Sequence, residues 1–442
     1  MTRFVGRHVS PEMVALGVLE LSLTFTLAYI TMLPASAPVM LEARAANHAL
    51  VVALTVGFIG FTIGLYRPQI FQRARSLLFN TVLGGVLSFP AVWAISKLSG
   101  LGPYWPVSYD ALRPVKVVLI WTTAVVALRF LFMAAVRLNL FVHRVAVVSA
   151  PEMTATQAAI RGGRKGFLEV AVLRPEQASA AALSAARVRS LILPDAQDRL
   201  LPAIREEYSR RDIAIETASD FWERYLRRID IDSLDQAWFA HLDEKRWLRT
   251  EALTRVADIV LSALFLVVTL PLMALVAVLV RLDSAGPVLY RQERVGLNGK
   301  PFVLFKFRSM LANAEARGPA WAQARDPRVT RVGSFIRRTR IDELPQMFNV
   351  LRGEMRFIGP RPERPHFVEQ LSELIPFYRE RLRVKPGLTG WAQVNYPYGA
   401  SVEDAKAKLS YDLYYAKNRG LFLDTLILFS TVRVILFQEG AR

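Results

Sequence analysis

Long apolar stretches and a polar remainder divide the chain. Four apolar runs fill the first third, Met13–Leu33, His48–Tyr66, Ser76–Ile95 and Val117–Val136. Each is near the ~20 residues that a helix needs to cross hydrocarbon, so the pattern predicts four spans. Arg3 and Arg7 precede the first run, Arg67, Arg73 and Arg75 lie between the second and third, and Arg137 and Arg144 follow the fourth. The other two loops carry less charge, so the positive-inside rule places the N-terminus and everything after the fourth span in the cytoplasm. The first run is long and lacks a small-residue cleavage site after a short apolar core, so it reads as an anchor. Glu20 and Arg129 fall inside spans. With no further charges in line with them, they read as packing or interfacial groups rather than a transport path.

From Arg144 to about Arg249 the period shortens. Short apolar strands at Val145–Val148, Leu168–Leu173, Leu191–Leu193 and Ile213–Ile215 alternate with Ala-rich helical stretches, which predicts a small α/β domain with a parallel sheet. A dinucleotide site would carry a glycine-rich turn after the first strand. This chain has Ser149-Ala150-Pro151-Glu152 there, which argues for a structural or regulatory domain.

A fifth apolar run, Val256–Val280, is long enough to cross, but Pro271 near its middle removes a backbone hydrogen bond. Lys245, Arg246, Arg249 and Arg255 precede it, and Arg281, Arg291 and Arg294 follow it. Both ends therefore favour the cytoplasm, which predicts a helix-break-helix that dips into one leaflet and returns; a plain fifth span is the alternative. The last apolar stretch, Leu421–Phe437, is interrupted by Asp424 and Arg433 and reads as a helix in the membrane interface or in a buried core.

Composition narrows the chemistry. Of 442 residues, 52% are hydrophobic, and 56 Lys and Arg against 38 Asp and Glu leave a formal charge of +18. Such a charge suits nucleic acid, an anionic lipid surface or a phosphate-rich substrate. The basic residues lie beside apolar runs and no nucleic-acid reading motif is present, which sets nucleic acid aside. The absence of cysteine excludes disulfides, thiolate zinc sites and a cysteine nucleophile.

Arginine, lysine and short Gly/Pro turns concentrate between Arg281 and Trp391. Within this region stands Arg337-Arg338-Thr339-Arg340-Ile341-Asp342-Glu343-Leu344-Pro345-Gln346. Adjacent carboxylates at a helix start are commonly caps facing the dipole, but here arginines surround them. An ionised carboxylate needs no base to act as a nucleophile, and its neighbour can help hold a divalent cation. Those are parts that phosphoryl transfer requires, with guanidinium groups to absorb developing charge.

At this point the chain resembles the bacterial polyprenyl-phosphate hexose-1-phosphate transferases that start exopolysaccharide and O-antigen units. The blocks that carry the resemblance run in order. They are the Pro271-broken helix, Gly286-Pro287-Val288, Gln292-Glu293-Arg294-Val295-Gly296 and Phe305-Lys306-Phe307-Arg308-Ser309-Met310. Next come Asp342-Glu343-Leu344-Pro345-Gln346 and Asn349-Val350-Leu351-Arg352-Gly353. Ile358-Gly359-Pro360-Arg361-Pro362 and Lys385-Pro386-Gly387-Leu388-Thr389-Gly390-Trp391 close the series. One departure is Thr269-Leu270-Pro271 at the membrane break, where small members of the family often show Ser-Pro.

The resemblance implies an α-helical membrane protein with an α/β cytoplasmic domain. Residues 1–140 would form the four-helix transmembrane domain and 141–248 a degenerate Rossmann-like domain. Residues 249–442 would form a re-entrant helix with a mostly helical catalytic domain on the cytoplasmic face of the bacterial inner membrane. It further implies that Asp342 attacks the sugar-bearing phosphate of a UDP-sugar, with Glu343 as the partner of Mg2+, and that undecaprenyl phosphate then accepts the phosphosugar. Arg337, Arg361, Lys306 and Arg308 are the implied phosphate binders. The Lys385–Trp391 turn, with Thr389, either meets the nucleotide or is a packed Gly-rich turn. A homodimer stays open, as does the identity of the sugar. The rivals are a membrane nucleotide-sugar dehydratase or epimerase, which would need the missing glycine-rich turn, and a non-catalytic scaffold of polysaccharide assembly.

Overall fold

The apolar runs of the first third become helices that extend past the runs themselves. In the computed structural model α1 spans Pro11–Met32, α2 Val39–Thr62, α3 Ala74–Leu98 and α4 Arg113–Arg137. Helix α2 starts well ahead of His48 because Ala- and charge-rich sequence around Glu42 continues the helix in polar form, with Glu42 favourably placed in its first turn. The structure describes residues 11–32, 39–66, 71, 74–98, 113–138, 140–148, 168–174, 179–193, 208, 210–234, 238–239, 248–311, 326–397, 399 and 401–437. Arg3, Arg7, Arg67, Arg73, the Ser149–Glu152 turn, Lys245 and Arg246 lie outside the described residues. The chain divides into two units, Met1–Ala218 and Ser219–Arg442.

In the first unit, Glu20 of α1 and Arg129 of α4 form a paired contact, Nε to Oε1 at 2.6 Å and Nη2 to Oε2 at 2.7 Å. Arg129 Nη1 also donates to Thr81 of α3 at 3.1 Å, and the Tyr66 hydroxyl donates to Glu20 at 2.9 Å. A buried charge pair is tolerated when its lone pairs and protons are satisfied in this way, and here it ties three helices together. Strands β1 (His143–Val148), β2 (Leu168–Leu173), β3 (Ser190–Leu193) and β4 (Ala214–Thr217) follow, with helix α5 (Ala180–Ala185) between β2 and β3. The sheet order is β2-β1-β3-β4 and every pairing is parallel, with Val145 opposite both Val170 and Ser190. Val145–Val148 are all buried, as parallel strands covered on both faces require.

In the second unit α6 runs from Leu248 to Asp283, 36 residues with Pro271 inside, about 54 Å at the helical rise. The helical span runs through Pro271, whose missing N–H leaves one backbone bond unmade and gives the helix a place to bend. Both ends of α6 are fastened to the same unit. Near the start, Arg255 donates to the carbonyls of Val350 and Leu351 at 2.6 and 2.7 Å, and Asp258 accepts from the Phe357 amide at 3.1 Å. At the far end Asp283 accepts from the Val332 amide at 3.0 Å, and Ser284 follows as the acceptor of Arg308. Five helices among the described residues are long and apolar enough to cross a membrane, and α6 is one of them.

A hairpin that the sequence reading did not anticipate follows α6. Strands β5 (Leu289–Val295) and β6 (Pro301–Phe307) pair antiparallel around a turn in which Asn298 and Gly299 take the left-handed region. Beyond it lie α7 (Arg331–Arg338), a 3-10 turn at Ile341–Gln346 and α8 (Met347–Arg352). They lead to β7 (Arg356–Ile358), α9 (Pro365–Leu374) and a second 3-10 turn at Tyr378–Arg383. Strand β8 (Gly387–Thr389) pairs parallel with β7, and α10 (Trp391–Asn395), α11 (Val402–Asn418) and α12 (Leu421–Phe437) complete the unit. Helix α12 has a buried side at Leu423, Leu426 and Ile427 and exposes Leu421 and Phe422, so it combines core and surface character.

Candidate active site

The carboxylates sit on the 3-10 turn because the chain reverses sharply just before it. Helix α7 ends at Arg338, and Arg340 adopts a left-handed backbone, φ 59°. That geometry costs a non-glycine residue about 1–2 kcal/mol, which packing must offset. The packing is apolar: Ile341 and Leu344 of the turn press on a cluster of Met273, Val276 and Val280 from α6, Phe307 from β6 and Ile336 from α7. Helix α6 thus forms the floor on which the turn rests. Helix α7 is pulled tight against the segment after β6 at Gly333, where a Cβ would stand 2.0 Å from the Ser309 carbonyl oxygen.

Three cations converge on Glu343. Lys306 of β6 donates to Oε1 at 2.9 Å, Arg361 donates to the same atom at 2.8 Å, and Arg340 approaches it at 3.6 Å. Burial opposes the charge on Glu343, but Lys306, Arg361 and Arg340 outweigh it and hold the carboxyl well below its ordinary range. Asp342 has the opposite balance. Its burial, aided by the charge of Glu343, raises the carboxyl above its usual value against the pull of Lys306, Arg340 and Arg361. Its Oδ1 is buried without a hydrogen-bond partner. Lys306 is lowered by its own burial.

Two supports fix these groups. Asn349 of α8, fully buried, accepts from the Phe305 amide at 3.1 Å and donates to the Val303 carbonyl at 2.6 Å, so it locks strand β6, and with it Lys306, to the acidic turn. Arg361 is set by backbone contact between two glycine turns. A Cβ on Gly387 would lie 2.1 Å from the Gly359 nitrogen, and one on Gly390 would lie 2.2 Å from the Gly359 oxygen. The Gly359 amide donates to the Thr389 carbonyl at 2.8 Å and the Gly387 amide to the Pro360 carbonyl at 2.9 Å.

The sequence-predicted residues divide accordingly. Asp342, Glu343, Lys306 and Arg361 come together. Arg308 is buried at the end of α6, where its Nη2 donates to the carbonyls of Val280 and Ser284 at 3.2 and 2.6 Å, a cation at the negative end of a helix. Arg337 stays on α7, where its charge bears on Asp326 behind the dominant Arg328 hydrogen bonds. Thr389 pairs its hydroxyl with that of Thr431 at 2.7 Å. Trp391 is buried, donates to the Arg227 carbonyl at 2.9 Å and stacks on Tyr414 at 6.0 Å between ring centroids. Lys385 contributes its backbone to the turn against Gly359, and Pro271 lies inside α6. Arg340 and Asn349 were missed as site residues, although both stand inside motifs already singled out.

The sequence pattern of the bacterial sugar transferase family matches residues 249–438, the stretch that carries this cluster. A Caulobacter vibrioides UDP-glucose:undecaprenyl-phosphate glucose-1-phosphate transferase is 41% identical over 189 residues, 42% of this chain and 71% of that protein. The chain belongs to the bacterial sugar transferase family. Within the family, a UDP-N-acetylgalactosamine-undecaprenyl-phosphate N-acetylgalactosaminephosphotransferase of Aeromonas hydrophila is 41% identical over 261 residues, 55% of this chain and 62% of that protein. A UDP-glucose:undecaprenyl-phosphate glucose-1-phosphate transferase of Escherichia coli is 44% identical over 182 residues, 41% of this chain and 39% of that protein. The chain therefore spans less than two thirds of the length of the Aeromonas and Escherichia relatives.

Among the described residues no group of three or more acidic, histidine or cysteine side chains forms a protein-only metal cage. Mg2+ needs less: one or two carboxylates, with waters and substrate phosphates supplying the rest. The partnerless Asp342 Oδ1 and a Glu343 whose cations all meet Oε1 provide hard oxygens of that kind.

Proposed function

We propose that this protein transfers a hexose-1-phosphate from a UDP-sugar to undecaprenyl phosphate through a covalent intermediate on Asp342. The observation that carries the reading is the buried Asp342 carboxylate with an unpartnered oxygen, next to a Glu343 that gathers Lys306 and Arg361. In the first step an Asp342 oxygen attacks the sugar-bearing phosphorus, the bond from that phosphorus to the bridging oxygen breaks, and UMP leaves. In the second, an oxygen of undecaprenyl phosphate attacks the same phosphorus and displaces Asp342, giving the undecaprenyl diphosphosugar. Arg361 and Lys306 stabilise the phosphate charge, the guanidinium with two donors directed at one group. Mg2+, when bound by Asp342 and Glu343, supplies charge neutralisation across the diphosphate.

Membrane placement belongs to the same proposal. A helix of ~54 Å crossing ~30 Å of hydrocarbon would leave its ends on opposite sides. Here Arg255 and Asp258 near one end and Asp283 and Ser284 at the other are all bonded to the second unit. Val260, Val267, Val268, Leu275 and Leu282 remain exposed along the way. This supports a helix that enters one leaflet and returns, with the carboxylates at the cytoplasmic surface of the inner membrane, where the acceptor phosphate lies.

The testing experiment is UMP release from a panel of UDP-sugars by the purified protein with Mg2+ and undecaprenyl phosphate. The proposal expects release that depends on both and names the sugar. Absence of UMP with every donor overturns it.

A further inference from the structure

Next to the carboxylate cluster lies a second concavity, open to solvent and with about 50 Å³ accessible to water-sized groups, between α9, the Tyr378–Arg383 turn and α11. Its floor is rigid. Arg381 donates to Asp412 Oδ2 from Nε at 3.0 Å and from Nη2 at 2.7 Å, and its Nη1 donates to the Tyr378 hydroxyl at 3.1 Å. Arg381 Nη2 also donates to the Arg361 carbonyl at 2.9 Å. The backbone that carries Arg361 to Glu343 is therefore the wall shared by the two sites, and Glu363, two residues on, lines the second one.

The polar groups here differ from those around Asp342. Glu363 meets Arg294 across 3.7 Å, beyond hydrogen-bond reach, and its side chain is 31% exposed, so the carboxylate can accept from a ligand without losing a bond. Lys408 faces the same space from α11 and donates to the Gly399 carbonyl at 2.6 Å. Arg381 and Asp412 neutralise each other, and Glu363 balances Lys408, so the pocket offers donors and acceptors with little net charge. A phosphate gains little there. Phe367 and Tyr378 add aromatic carbon to the lining. Carboxylate and ammonium groups beside aromatic surface suit a ring bearing several hydroxyls, whose O–H groups pair with the charges while its C–H face meets carbon.

We infer that this pocket is the subsite for a hydroxylated ring of the nucleotide-sugar donor, the hexose or the ribose, with Glu363 and Lys408 as its hydroxyl-binding residues. The inference rests on the transferase reading, because it places the ring beside the diphosphate that Arg361 and Lys306 would hold.

The test measures donor KM and UMP inhibition for wild type, Glu363→Gln and Lys408→Met. Thermal melting of each variant verifies the fold, and Glu363→Asp serves as the conservative partner. The expected result is a donor KM about tenfold higher in Glu363→Gln, the scale of one lost charge-assisted hydrogen bond, with kcat changed less. UMP carries the ribose and lacks the hexose. If UMP inhibition is unchanged while KM rises, the ring is the hexose; if both weaken, it is the ribose. Wild-type activity with variant KM values equal to wild type overturns the subsite alone. A wild type that releases no UMP overturns the transferase reading and the subsite with it.

Discussion

Asp342 and Glu343 are adjacent, yet their carboxyls are driven in opposite directions, Asp342 upward chiefly by burial and Glu343 downward by Lys306, Arg361 and Arg340. The asymmetry follows from where the cations point. Lys306 and Arg361 both end on Glu343 Oε1, while Asp342 keeps an oxygen without a partner. Two carboxylates with separated environments are how one site divides roles, in the proposed mechanism a nucleophile and a charge-holding neighbour.

Lys306→Met should change the pH profile as well as the rate. In the proposed mechanism Asp342 acts when ionised, so activity should fall as pH drops through its pKa. Lys306 lowers that pKa, and removing its charge moves the acid limb of kcat/KM to higher pH. Arg361→Lys, which keeps a charge but loses the planar fork, should raise donor KM with a smaller displacement of the limb. Steady-state profiles of the two variants check both expectations; an unmoved limb in Lys306→Met contradicts the electrostatic account.

Asn349→Ala should destabilise the protein. It leaves the half-buried Phe305 amide and Val303 carbonyl without their side-chain partner, and each such lost hydrogen bond costs about 1 kcal/mol. Denaturant unfolding should show the loss, and activity at permissive temperature should fall further than stability predicts, because β6 carries Lys306. A variant as stable as the parent would remove Asn349 from this role.

Gly387→Ala should displace the Arg361 turn. Its new Cβ would meet the Gly359 nitrogen at 2.1 Å, so backbone must shift, at a cost of about 1–3 kcal/mol. Loss of activity with donor KM raised is the expected reading. Gly299, by contrast, lies at positive φ, 79°, with nothing within 4 Å of a Cβ added there, so Gly299→Ala tests turn strain alone. It should cost about 1 kcal/mol of turn strain and leave KM unchanged.

The absence of cysteine permits a direct test of the leaflet-dipping helix. Glu251→Cys and Lys300→Cys place single exposed thiols in the first turn of α6 and beyond its far end. Both should react with a membrane-impermeant maleimide in inverted inner-membrane vesicles and neither in right-side-out spheroplasts. Labelling from opposite sides would establish a spanning helix.

Much of this was legible in the residues. The strand at Leu168–Leu173 coincides with its apolar run, and the four apolar helices follow from length, because a run long enough to cross hydrocarbon is displayed directly by sequence. The paired carboxylates were visible because acidic neighbours among arginines are chemically unusual. The hairpin at Leu289–Phe307 was missed although Asn298-Gly299 marks its turn, since charged Arg291, Glu293 and Arg294 mask the alternation of β5. Which arginines reach Glu343 was not legible. Arg308, Arg337 and Arg361 look alike as sequence, and they are sorted by tertiary contacts: the end of α6 takes Arg308, and the Gly359–Gly387 approach delivers Arg361.

The central claim is tested most directly by incubating the protein with Mg2+ and its UDP-sugar in the absence of undecaprenyl phosphate, then locating any adduct by peptide mass spectrometry. The account predicts one equivalent of UMP and a hexose-phosphate mass on the peptide containing Asp342, absent in Asp342→Asn and discharged when undecaprenyl phosphate is added. UMP formed only with acceptor present, with no adduct at any time, would contradict the covalent mechanism and point to direct attack by the lipid phosphate.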